Sequence, residues 1–197
     1  VLTGGTGQNP ARQAAMKSGI PKETPAYLVN QVCGSGLRSI ASGFPSIKSG
    51  DSKIIIAGGQ ESMSLAPHAI HLRDGKKLGD AEIIDTLIKD GLWDAFHGYH
   101  MGVTAENVAT KFQVTREDQD NFAIKSQNKA LKAQKEKKFE NEIINLKIKS
   151  KKNEVNFIKD EHPREGVNLD ALSRLKPVFK KDGTVTAGNA SGINDGA

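Results

Sequence analysis

With 197 residues, 37% of them hydrophobic and 26% charged, the chain has the length and composition of one globular domain, or of a domain carrying a large insertion. Its single cysteine excludes an internal disulfide and a cysteine-rich metal site and points to a reducing compartment, the cytoplasm. No stretch reads as a secretory signal or a membrane span, and the net charge of +5 fits a phosphate-bearing ligand better than nucleic acid, because aromatics are scarce at 5% and no known nucleic-acid module pattern is present.

The segment GGTGQNPARQAAMKSG predicts a glycine turn and then a short helix, with Asn9 as N-cap, Pro10 in the first helical position and Gly19 at the end. GGTG has neither the spacing of a P-loop nor that of a dinucleotide fingerprint. AYLVNQV predicts a strand over Tyr27–Val32. Leu37, Ile40, Ala41, Phe44 and Ile47 then recur at helical spacing, and Pro45 inside that pattern is expected to kink or shorten the helix. SKIIIAGG reads as a strand buried on both faces, so the span predicts a βαβ unit with parallel strands and a right-handed crossover.

Beyond GGQESMS the texture changes. Asp74-Gly75 is a hairpin signal, a helix is expected to begin near Thr104, and the longest helix follows Thr115, where Thr115 and Asp118 form a variant capping box. Phe122, Ile124, Ala130 and Ala133 are expected on the packed face of that helix, and the lysines near its end on a solvated one. Residues on either side of Asn153 alternate as a hairpin, and Asp182-Gly183 marks a turn before a β-branched run. Residues 64–183 therefore read as an insertion between core segments.

Cys33 falls where the predicted strand meets the predicted helix. One reading is inert packing, the commonest state of free cysteine. The other is a nucleophile: sites of open α/β folds gather at the carboxyl ends of parallel strands, the positive end of a helix dipole favours negative charge, and Gly34 and Gly36 permit close approach of substrate and backbone N–H groups. Local pattern alone leaves both open.

NQVCGSGLRSI, AGGQESMS, YHMGVTAENVA, SQNKA and TVTAGNASGINDGA, in this order and over nearly the whole chain, resemble the thiolases, and within them the biosynthetic acetyl-CoA acetyltransferase type. The resemblance implies an α/β thiolase fold, layered α-β-α-β-α when complete. Residues 1–63 and 184–197 would belong to its N-terminal half, and 64–183 would be an α+β loop domain covering coenzyme A. It implies condensation of two acetyl-CoA to acetoacetyl-CoA and CoA, and the reverse thiolysis, with Cys33 carrying the acetyl group and its backbone N–H contributing to an oxyanion hole. His100 and Met101 would line the acyl pocket. Arg164, Ala187 and Ser191 would lie around the nucleotide and pantetheine, with Leu92 and Phe179 as apolar walls. No metal and no cofactor beyond coenzyme A thioester substrates is implied, nor any membrane partner. Arg73–Lys77 matches a tetramer-forming hairpin, implying a homotetramer built as a dimer of dimers.

The pattern also breaks. The Gly-His-Pro histidine, the second cysteine and the Asn-Glu motif of such enzymes are not found; His162 precedes a proline but lies within 64–183. The chain starts at Val1 and stops at GINDGA, and is expected to be a fragment that cannot complete the reaction alone. A degradative 3-ketoacyl-CoA thiolase and a non-catalytic acyl-CoA or lipid-binding relative are the alternatives.

Overall fold

The computed structural model describes residues 1–149 and 153–197. The chain forms two compact units, one of Val1–Gly98 with Ile193–Ala197, the other of Tyr99–Gly192.

In the first unit, helix α1 (Pro10–Lys17) begins as the sequence predicts. The Asn9 side chain accepts from the Arg12 N–H at 3.1 Å, and Pro10 occupies the first turn, where a missing N–H costs nothing. The Asn9 amide donates to the Ala26 carbonyl at 2.9 Å, and the Arg12 guanidinium donates to the Lys22 and Thr24 carbonyls, so the cap also ties down the loop that follows. Helix α2 (Ser35–Lys48) runs for 14 residues straight through Pro45. The expected shortening does not occur, because Pro45 lies in the last turn and its own carbonyl still accepts from the Ser49 N–H at 2.8 Å.

Neither strand of the predicted βαβ unit is realised as a ladder. Residues 27–30 and 53–59 make no interstrand pairing, and Ile54 and Ile56 are 85% and 80% exposed. What holds the isoleucine segment is α2: Gly43 is buried so tightly against Ile55 that a Cβ there would stand 3.1 Å from its Cγ2, and the Ser39 hydroxyl donates to the Gly58 carbonyl at 2.9 Å. An apolar run names a segment that can be buried, but a strand exists only where a neighbour's N–H and C=O groups complete it. The remaining pairings are short. Strands β1 (Glu61–Ser62) and β6 (Asp195–Gly196) pair antiparallel, backed by the Ser64 N–H donating to Asp195 at 2.9 Å. Strands β2 (His68–Ala69) and β3 (Ile84–Asp85) pair around a connection that contains the Asp74-Gly75 turn, where Gly75 takes a φ of 76°. A π-helical stretch, Leu87–Leu92, follows β3.

The second unit is organised by two helices. Helix α3 (Met101–Phe112) starts three residues before Thr104 because His100 supplies the cap, its Nδ1 accepting from the Gly102 N–H at 3.0 Å. Helix α4 (Arg116–Lys135) carries the full capping box: the Thr115 hydroxyl accepts from the Asp118 N–H, and the Asp118 carboxylate accepts from the Thr115 N–H, each at 3.1 Å. Its packed side includes Ile124, Ala130 and Ala133 as expected, but not Phe122. Asp120 is buried, Ala123, Ile124 and Ala130 are half-buried, and Phe122 is 75% exposed. The reason is the α4–α5 contact: Arg116 turns toward α5 (Leu169–Ser173), and its guanidinium donates to the carbonyls of Leu172 and Leu175 at 2.6 and 3.1 Å, which sets the helix rotation. Strands β4 (Leu146–Lys149) and β5 (Glu154–Phe157) pair from Leu146↔Phe157 to Lys149↔Glu154, the hairpin the alternation predicts; most of its turn, residues 150–152, lies outside the described residues.

Candidate active site

Cys33 is a free, exposed thiol placed immediately before Gly34, the residue that caps α2. The turn that presents it is constrained. Val32 adopts a φ of 49°, a left-handed conformation that costs a β-branched residue about 1–3 kcal/mol. The Ser35 hydroxyl accepts from the Gln31 N–H at 2.8 Å and donates to the Val32 carbonyl at 2.7 Å. The Gly34 N–H donates to the Gln31 carbonyl at 3.0 Å, and the Arg38 guanidinium donates to the Gln31 side chain at 2.6 Å. These bonds replace the predicted strand end with a strained turn that lifts the thiol off the chain and leaves it at the positive end of a 14-residue helix. Leu92, half-buried, closes the π-helical stretch in the same unit.

The other predicted residues, His100, Met101, Arg164, Phe179, Ala187 and Ser191, all fall in the second unit. His100 and Phe179 meet directly, their rings stacked with centroids 4.7 Å apart and planes inclined by 22°. Gly102 makes that stack possible: a Cβ there would lie 2.2 Å from the Phe179 ring. Because Nδ1 of His100 accepts from Gly102, its proton sits on Nε2, which is thereby available as a donor. Met101 is 37% exposed. Arg164 is exposed, its N–H held by the Gln127 side chain at 3.0 Å.

Ala187 and Ser191 lie exposed on a segment whose other side is fully engaged. Val185 and Thr186 are buried, Thr186 completely. The Thr186 N–H donates to the Asn189 side-chain oxygen at 2.8 Å, and the Ala190 N–H donates to the Thr186 carbonyl at 3.0 Å. Gly188 touches α5 where a Cβ would stand 2.5 Å from Leu172.

Two carboxylates missed at the sequence level hold this segment. Glu106 of α3, 3% exposed, accepts from the N–H groups of Thr184 and Val185, each at 2.8 Å, and from the Thr184 hydroxyl at 3.0 Å. Burial pushes its carboxyl up, but the Val185 and Thr184 donors and the Lys180 charge outweigh this and hold it below the usual carboxylate range. Asp120 of α4, 2% exposed, accepts from Arg116 at 2.8 Å and from the Asn189 amide at 2.9 Å. The signal that reveals Glu106 is its position: Gly102, Glu106 and Ala109 form the buried stripe of α3, and a charge on such a stripe needs a partner. Among the described residues no cluster of three His, Cys, Asp or Glu side chains forms a metal site, and no helix is long and apolar enough to cross a membrane.

The family model described as "Thiolase, N-terminal domain" matches residues 1–197. The acetyl-CoA acetyltransferase of Rhizobium meliloti (strain 1021) is 61% identical over all 197 residues, and that of Shinella zoogloeoides 58%, the chain covering 50% of each. A crystal structure of the Bacillus anthracis acetyl-CoA acetyltransferase superposes with a TM-score of 0.93 at 42% identity, over 98% of this chain and 49% of that one. The chain belongs to the thiolase family and has the α/β fold of its N-terminal domain. It spans about half the length of the curated relatives it matches.

Proposed function

We propose that the protein containing this chain is an acetyl-CoA C-acetyltransferase that forms acetoacetyl-CoA and CoA from two acetyl-CoA and catalyses the reverse thiolysis. The observation that carries the reading is Cys33: an exposed thiol on a strained turn at the head of α2, in a chain 53–61% identical to proteins named acetyl-CoA acetyltransferase. In the first step the Cys33 thiolate attacks the thioester carbonyl, the carbon–sulfur bond to CoA breaks, and CoA leaves as a thiol once protonated. In the second, an acetyl-CoA deprotonated at its methyl carbon attacks the acetyl-Cys33 carbonyl, a carbon–carbon bond forms, and the Cys33 thiolate is released. The Cys33 N–H serves as an oxyanion donor. The histidine base and the second cysteine of this scheme come from outside these 197 residues, which contain one cysteine.

Coenzyme A is read as lying along the second unit, on His100, Met101, Arg164, Phe179, Ala187 and Ser191, with Leu92 as a further apolar wall; the basic balance of the chain favours its phosphates. The division into core, 1–63 and 184–197, and loop domain, 64–183, is a division by role, and compactness divides the chain elsewhere. A homotetramer of two dimers in the cytoplasm completes the proposal, supported by the cationic Arg73–Lys77 turn and the lone thiol. Short acyl groups are the expected substrates because the motif at residues 99–102 that carries Met101 resembles that of the biosynthetic type; a thiolysis profile favouring long 3-ketoacyl chains would transfer the protein to the degradative class.

The test is mass spectrometry of the full-length protein quenched after mixing with acetyl-CoA. An acetyl group on the Cys33 peptide, absent in Cys33→Ser, is expected. A wild-type protein that binds acetyl-CoA but acquires no adduct, and shows no thiolysis, refutes the catalytic reading and leaves the binding role.

A further inference from the structure

We infer that Glu106 and Asp120 are positioning residues for coenzyme A, acting from the buried side of the Thr184–Ser191 segment whose exposed side carries Ala187 and Ser191. The inference rests on the proposed binding of coenzyme A at that segment. Neither carboxylate touches the exposed face. Each is held at one end of the segment by donors that leave it little freedom: Glu106 takes the Thr184 and Val185 N–H groups and the Thr184 hydroxyl, and Asp120 takes the Asn189 amide while Arg116 neutralises it.

The two ends are linked. The Asn189 side chain spans the turn, its oxygen accepting from the Thr186 N–H at 2.8 Å and its amide donating to both Asp120, at 2.9 Å, and the Thr184 carbonyl, at 3.0 Å. Gln119, one residue before Asp120 on α4, donates to the Thr184 hydroxyl at 2.9 Å, so the same threonine that Glu106 binds is also fixed from α4. The segment has no helix or strand of its own to hold its shape. Its Thr184 and Val185 N–H groups are satisfied instead by Glu106 of α3, and its Thr186 N–H by the Asn189 side chain that Asp120 of α4 holds, and with them the spacing of Ala187 and Ser191 is determined. Packing alone would be served by apolar residues at 106 and 120 at lower desolvation cost; carboxylates accept several directed bonds each, which specifies an orientation. Preorganised contacts of this kind raise affinity by removing the ordering cost from the binding step.

The experiment compares Glu106→Gln and Asp120→Asn with wild type in the full-length protein. It measures the calorimetric Kd for CoA, steady-state thiolysis of acetoacetyl-CoA, and thiolysis of a truncated acetoacetyl thioester lacking pantetheine and nucleotide, with CoA as the acceptor held at saturation for each variant. Each variant is expected to weaken CoA binding about tenfold, the equivalent of one good hydrogen bond, and to raise KM for acetoacetyl-CoA similarly, while kcat stays within about twofold and the truncated thioester is unaffected. A folded variant with unchanged Kd, or equal impairment with both thioesters, overturns the inference. Should Glu106→Gln fail to fold, Thr184→Val, which removes only the hydroxyl bonded to Glu106 and Gln119, is read by the same criteria. A wild type that binds CoA without turning over acetoacetyl-CoA refutes the proposed reaction but leaves the positioning role to be judged on Kd. A wild type that binds no CoA refutes both.

Discussion

Replacing Glu106 by alanine and by glutamine separates two contributions that a single variant would merge. Alanine leaves the Thr184 and Val185 N–H groups, both bonded at 2.8 Å in the native protein, without an acceptor beneath a buried turn. An unsatisfied buried donor costs about 1–3 kcal/mol, so the two together cost about 4 kcal/mol. Glutamine keeps one oxygen where Oε1 stands, facing both N–H groups, and turns its amide toward the Thr184 hydroxyl, which accepts once that hydroxyl rotates. What it forfeits is the charge assistance, about 1–1.5 kcal/mol over the set. Native-state hydrogen exchange of the Val185 amide in the full-length protein reads these costs locally. Exchange should accelerate about tenfold in Glu106→Gln and about a thousandfold in Glu106→Ala, the latter limited by global stability. Acid adds a check of sign. The folded-state carboxyl of Glu106 is held below its ordinary value, so its stabilisation is complete above the unfolded carboxyl's range near pH ~4.3 and is lost as the pH falls through the lowered folded value. The gap between wild type and Glu106→Gln must therefore narrow in acid. Equal exchange rates in the two variants, or a gap that widens as pH falls, would refute the reasoning.

Two further outcomes follow from local geometry. Gly102→Ala places a Cβ 2.2 Å from the Phe179 ring, so it should displace that ring, break the His100 stack and cost about 1–3 kcal/mol, seen as loss of the Phe179 ring-current shift on His100 in NMR and as a lower Tm. Thr115→Ala removes one half of the capping box and should destabilise the start of α4 by about 1 kcal/mol, read as faster exchange of the Asp118 amide with CoA affinity unchanged; unchanged exchange would show that the cap contributes nothing there.

Features set by short-range chemistry were legible without coordinates. Asn9-Pro10 started α1, Thr115 with Asp118 started α4, and alternation around Asn153 made the β4–β5 hairpin, because a cap or an alternating pair needs only residues a few positions apart. The glycine-flanked Cys33 and the motif order were equally visible, and with them the family. Tertiary structure decided what depends on partners distant in sequence. The apolar runs at 27–32 and 53–59 were suited to strands, yet their backbones are left without ladders, and Val32 is turned into a left-handed conformation that presents the thiol. Phe122 was assigned to the packed face of α4, but the bonds from Arg116 to α5 rotate Asp120 there instead. Glu106 and Asp120 stayed hidden for the same reason: a buried carboxylate is tolerated only where donors converge on it, and those donors lie 78 and 69 residues away along the chain. Periodicity records which side chains prefer to leave water; only the folded backbone determines which polar groups are waiting for them there.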